Sequence, residues 1–204
     1  MKKAISLFGL HSVYWRSICY TTNMRKQATD NLHKIGIVSW PKLFRAWERR
    51  EATSAGWIRL YRSRGFSSWR EWRMTACKDL HPERRKWILY KVEHPEIVVP
   101  TWFGGPFRGW RKHYRGRAVT FKTLVSRRSI RAHTYVLGLE KSFPRTTQLL
   151  GVRQKGKIVV IEGMHRACAV ALAAQSRKKL RTSLTLALTP LSGKLPNLSA
   201  GQNR

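Results

Sequence analysis

A short β-branched run, Lys157 to Ile161, sits between Gly156 and Gly163, and a stretch of small and apolar residues from Ala167 to Ala174 follows it. A run with no polar alternation reads as a strand buried on both faces. The alanine-rich stretch is made of strong helix formers. Arg177, Lys178 and Lys179 come directly after it, where cations favour a helix C-terminus. The unit is therefore strand, glycine turn, helix, and the rest of the chain is organised around it.

The turn reads Glu162-Gly163-Met164-His165-Arg166. A helix start carries unpaired N–H groups and partial positive charge, which together favour an anion. Gly163 permits a positive φ or a close approach to a ligand. His165 and Arg166 lie in the first helical turn, where cations oppose the dipole. A phosphate would account for them, because Arg forks two oxygens and His donates to a third. Gly163, His165 and Arg166 are thus candidate phosphate contacts, and Glu162 is a candidate proton acceptor or metal ligand. The competing reading is a turn that only redirects the chain, with His and Arg solvated.

Glu-Gly-x-His-Arg between an apolar strand and an alanine-rich helix resembles the ParB/sulfiredoxin-like family. The likeness covers roughly the last half of the chain. It implies an α+β fold: an N-terminal helical region, then a small ParB/sulfiredoxin-like mixed sheet with packed helices. That family includes CTP-binding partition proteins, sulfiredoxin and a free serine kinase, in which this turn holds phosphates. The resemblance implies a nucleoside di- or triphosphate with Mg2+, and a phosphotransferase or NTPase activity as its extension. Met164 stands where many members carry His or another polar residue, and where sulfiredoxin has its reactive Cys, so sulfiredoxin chemistry is not expected. In the kinase relatives an acid from an earlier strand and its loop is the base. Glu93 and Glu96 are the acids in that region, with Glu93 the candidate.

The 204-residue chain carries a formal charge of +31. Such a charge calls for a polyanion, an anionic surface or a very basic host proteome. From Ile97 to Leu139 there is no acid and nine Lys or Arg. Arg111, Lys112, Arg115, Arg117, Arg127, Arg128 and Arg131 are the candidate contacts to RNA or DNA. A non-catalytic, highly basic nucleic-acid-binding or ribosome-associated protein is therefore the alternative function. Arg108, in the aromatic and glycine-rich stretch Thr101 to Trp110, is a further candidate phosphate contact. That stretch is expected to pack on the core or to cover a ligand.

Residues 1–36 read as a basic extension, partly disordered and of unassigned role; residues 2–29 contain no acid. Organellar targeting and a cytoplasmic location both fit it, and no span is long enough to cross a membrane. Residues 37–84 read as helical, with Ser39 and Ser68 as caps and Glu71 near a capping-box position. Residues 85–190 hold strands at Trp87 to Val92, Thr146 to Val152, Lys157 to Ile161 and Ser183 to Leu188. Thr120 to Leu139 reads as one amphipathic helix, and residues 191–204 as a disordered tail. Cys19, Cys77 and Cys168 show neither metal spacing nor a paired framework, which fits a reducing compartment. The oligomeric state is not legible.

Overall fold

A computed structural model describes residues 31–200 of the chain. Its centre is a mixed six-stranded sheet with helices on both faces. The strands are β1 (Leu32–Val38), β2 (Trp87–Val92), β3 (Phe103–Gly104), β4 (Thr146–Gln154), β5 (Lys157–Glu162) and β6 (Ser183–Pro190), in the spatial order β1-β2-β6-β4-β5-β3. β4 pairs with β6 and β3 with β5 in parallel; the other pairs are antiparallel. β4 and β5 form a hairpin through Lys155 and Gly156, both at positive φ.

Alternate residues of the central strands serve two cores. Leu149, Ile158, Val160, Leu184, Leu186 and Leu188 face a layer that includes α9 (Met164–Gln175). Leu150, Val152, Val159, Ile161 and Ala187 face the opposite layer. Both faces are covered, so β5 and the middle of β4 read as continuous apolar runs, whereas β6 alternates.

The second layer is α1 (Trp40–Glu51), α2 (Ala55–Arg62) and α3 (Trp69–Cys77). Leu43, Phe44 and Trp47 are the buried stripe of α1. Ser68 caps α3 by accepting from the Glu71 N–H, while the Glu71 carboxylate accepts from Ser67. Tryptophan dominates this core: Trp47 and Trp69 meet edge to face at 5.5 Å, and Trp40 stacks on Trp87 at 5.5 Å.

The first layer holds α4 (Pro95–Val98), α5 (Arg108–Tyr114), α6 (Phe121–Val125), α7 (Arg128–Arg131), α8 (Thr134–Lys141) and α9. Cys168 is a fully buried small residue of α9, and burial pushes its thiol pKa up.

Three expectations change. The extension was expected to run to residue 36, but Leu32–Val38 is an edge strand of the main sheet. Only Val38 of β1 is buried, so the apolar periodicity that signals a strand is weak there. The helical region is therefore inserted between two paired strands and packs on their sheet. Second, Thr120 to Leu139 forms three short helices, because extended backbone at Arg127 and His133 interrupts it. Third, the tail expected to be disordered packs on the core through residue 200: Leu191 and Leu198 are buried, and Ser199 accepts the Arg108 N–H at 2.7 Å. Leucines seven apart anchor an irregular segment that Pro, Ser and Gly make look like a free loop. The basic segment up to residue 30, Cys19 and residues 201–204 lie outside the described residues. Among the described residues no helix is long and apolar enough to cross a membrane.

Candidate functional site

Where β5 ends, the chain turns at Gly163 and enters α9. Gly163 has φ 90 and is the N-cap. A Cβ there would overlap the Leu149 side chain and meet the Arg166 guanidinium at 3.0 Å. Glycine is required by conformation and by space. The corner is therefore tightly packed on the side where a ligand oxygen was expected.

Arg166 fills it. The side chain folds back from the first turn of α9, and its Nη2 donates to Glu162. Its Nη1 donates to the Thr147 hydroxyl at 2.7 Å and the Gln148 carbonyl at 2.8 Å. Arg50 of α1 donates to the second Glu162 oxygen at 3.1 Å. The Glu162 side chain is 3% exposed, so this is a buried carboxylate held between two guanidiniums. Both Glu162 oxygens are engaged, and among the described residues no group of three acidic, His or Cys side chains converges on a metal position. The residues present therefore do not fit a protein-held Mg2+.

His165 turns the other way. Its ring sits 5.0 Å from Trp110, 5.1 Å from His133 and 5.1 Å from Tyr135. Burial, then His133, Arg166 and His113, push its pKa down to about 4. At neutral pH it is an uncharged imidazole, not the expected cation. Met164, at the variable motif position, is 5% exposed and its thioether accepts the Gly105 N–H at 3.4 Å. It packs the aromatic stretch against α9, a structural use of that position.

Glu162, Gly163, His165, Arg166 and Arg108 nevertheless wall one cavity of about 810 Å3. It lies at the N-terminal ends of β4 and β6 and the C-terminal end of β5, where Thr147, Gln148 and Thr185 contribute to the wall. Helices from both layers close it. Arg50, Arg64 and Arg73 come from the α1–α3 side, and Arg108 and Lys112 from α5. With Arg166 that makes six Lys or Arg side chains against two carboxylates, Glu51 and Glu162.

The charges differ in availability. Arg73 donates to Glu51 at 2.6 Å and its guanidinium lies 4.0 Å from the Trp72 centroid and 4.6 Å from that of Trp47. Arg64 lies over Trp72 at 5.3 Å and pairs with no carboxylate among the described residues. Burial, then Arg108, then Arg73 lower its pKa, so like charges crowd this wall. Trp57, Phe107, Trp110 and Tyr135 add aromatic surface. Trp47 Nε1, Trp72 Nε1 and His133 Nδ1, all on lining residues, are buried without a hydrogen-bond partner among the described residues.

Glu93 is not part of this site. It pairs with His33 at 3.1 Å and Lys91 at 3.8 Å near the β1 edge. The strand order sets β6 between β2 and β4, so Glu93 is carried away from the α9 turn. Glu96 lies 3.7 Å from His94 and also takes no part in the cavity wall. Of the basic set, Lys112 lines the cavity, Arg111, Arg115, Arg117, Arg128 and Arg131 are exposed and outside its lining, and Arg127 is half-buried.

Arg50, Arg64, Arg73, Thr147 and His133 were not anticipated. The sequence signal for the three arginines is Arg interleaved with Trp in the helical region, which reads as a charged face over an apolar stripe; Thr147 and His133 carry no such signal. In comparisons with known proteins, no family model, no curated protein and no solved structure matches this chain.

Proposed function

We propose that the cavity binds a nucleotide, the ligand class that the Glu162 to Arg166 resemblance implies. One observation carries the reading: six cationic side chains and only two carboxylates wall a cavity that also presents aromatic rings from both helical layers. An excess of guanidinium suits phosphate oxygens, and rings suit a base. The volume of 810 Å3 falls within the range of about 300–1,000 Å3 usual for small-molecule sites.

The phosphate grip differs from the one the motif suggests. Arg166 is occupied by Glu162, and His165 is neutral. Arg64 and Lys112 are the cations offered to phosphate, with Arg108 beside them. Gly163 and Arg166 shape the floor, and His165 offers an uncharged ring nitrogen. Mg2+ would arrive on the phosphates. The reading stops at binding: Glu162 is paired on both oxygens and Glu93 is elsewhere, so among the described residues no base is positioned for phosphoryl transfer.

A thermal-shift screen of purine and pyrimidine nucleoside mono-, di- and triphosphates, with and without Mg2+, tests it. A ligand at about 100 times its Kd adds about 2.7 kcal/mol, or about 5–10 °C in a domain of this size. Arg64→Ala should remove most of the shift while leaving the unliganded Tm nearly unchanged. Absence of a shift with every nucleotide at millimolar concentration refutes the reading.

A further inference from the structure

The cavity does not end at its own wall. Lys112 and Tyr135 line it and are exposed, so α5 and α8 form one part of its rim; Arg50, Thr146 and Ser183 are exposed elsewhere on the wall. The Lys112 and Tyr135 part of the rim lies within the acid-free segment from Ile97 to Leu139. Arg111, Arg115, Arg117, Arg128 and Arg131 are exposed there, and none pairs with a carboxylate among the described residues. Arg127 Nη1 is buried without a hydrogen-bond partner among the described residues. His113, 7% exposed, contacts Ser129 at 2.9 Å; burial, then Lys112, His133 and Arg127, lower its pKa. Lys112 and Arg127 are thus held close to His113, and the segment contains no acid to offset its cations.

A free nucleotide inside the cavity leaves this outer charge unmatched. A strand of nucleic acid does not: one nucleotide enters, and the following phosphates run over the cationic rim. Entry needs an unstacked base, since the aromatic surface lies within the cavity, and that requires a single strand. Resting on the nucleotide reading above, we infer that the ligand is the end of a single-stranded nucleic acid, with its terminal nucleotide in the cavity and its backbone on α5–α7.

The test is fluorescence anisotropy on the full chain with an internally labelled, 5′-phosphorylated single-stranded dodecamer, as RNA and as DNA. The same strand circularised and the same strand annealed to its complement serve as comparisons. The linear strand should bind at least tenfold more tightly than the circular or duplex form. Four rim phosphates correspond to a log–log salt slope near −3, an affinity loss of about 50-fold between 50 and 200 mM salt. Arg128→Glu with Arg131→Glu should weaken strand binding at least tenfold yet leave the mononucleotide thermal shift unchanged. A saturating mononucleotide should remove the preference for a free end.

Equal binding of circular and linear strands overturns end recognition. A mononucleotide shift with no tighter, salt-dependent binding of the linear strand overturns the inference and leaves the nucleotide reading standing. If mononucleotides also fail to bind, both fall. A preference for RNA over DNA, within a linear-strand preference, supports the inference and identifies the sugar.

Discussion

Arg166→Met separates the guanidinium as a packing element from the guanidinium as a ligand contact. The wild-type side chain donates to Thr147, Gln148 and Glu162 at once. Its removal leaves Glu162 buried, with Arg50 at 3.1 Å as its remaining ion-pair partner. Losing one member of a buried pair costs about 3–5 kcal/mol. Arg50 is retained, but its side chain is 32% exposed, so the lower end applies, about 3 kcal/mol. At about 2–4 °C per kcal/mol, Tm falls by about 6–12 °C. Urea denaturation gives the free energy and calorimetry gives Tm. Adding Glu162→Gln should recover part of the loss, with a coupling of about 1–3 kcal/mol in the double-mutant cycle. A single-variant loss below about 1 kcal/mol, with additive effects in the cycle, would refute the buried-pair account and return Arg166 to the role of a solvated phosphate contact.

Two further outcomes follow from the same corner. Gly163→Ala must adopt φ 90 and displace Leu149 or Arg166; a loss of about 2–4 kcal/mol in urea denaturation is expected, and a loss under about 1 kcal/mol shows that the turn relaxes freely. His165 has a folded-state pKa pushed from 6.5 to about 4. The unfolded state therefore binds the extra proton first, and the stability this ring contributes is full above pH 6.5 and lost as pH falls towards 4. The ring keeps some solvent contact, so the total is at most on the order of 3 kcal/mol. His165→Phe should flatten the stability profile across that window, and an unchanged slope contradicts the burial.

The strands were legible where they are covered on both faces. β5 and the Leu149–Val152 part of β4 announce themselves as apolar runs because each contributes to two cores, and β6 announces itself by the alternation of Leu184, Leu186 and Leu188 with smaller or polar residues. β1 was not legible, since an edge strand with one buried residue leaves little pattern. In the site, the local motif brought Gly163, His165 and Arg166 to one wall, but not their protonation or partners. Those depend on distant residues: Arg50 reaches Glu162 across 112 positions, and Thr147 reaches Arg166 across 19. Interleaved with Arg49 and Arg50, Glu51 has the spacing of a solvated charged face of α1. It is turned inward onto Arg73 and Trp69, a choice set by tertiary packing and invisible to helical periodicity.

The most direct measurement is isothermal titration of the full chain with a nucleoside, with inorganic phosphate and with the corresponding nucleotide. A cavity that joins aromatic surface to excess guanidinium should take the nucleotide at least a hundredfold more tightly than either half, with heat lost in Arg64→Ala. Equal affinity for nucleotide and inorganic phosphate, or no heat with any of the three, would contradict it.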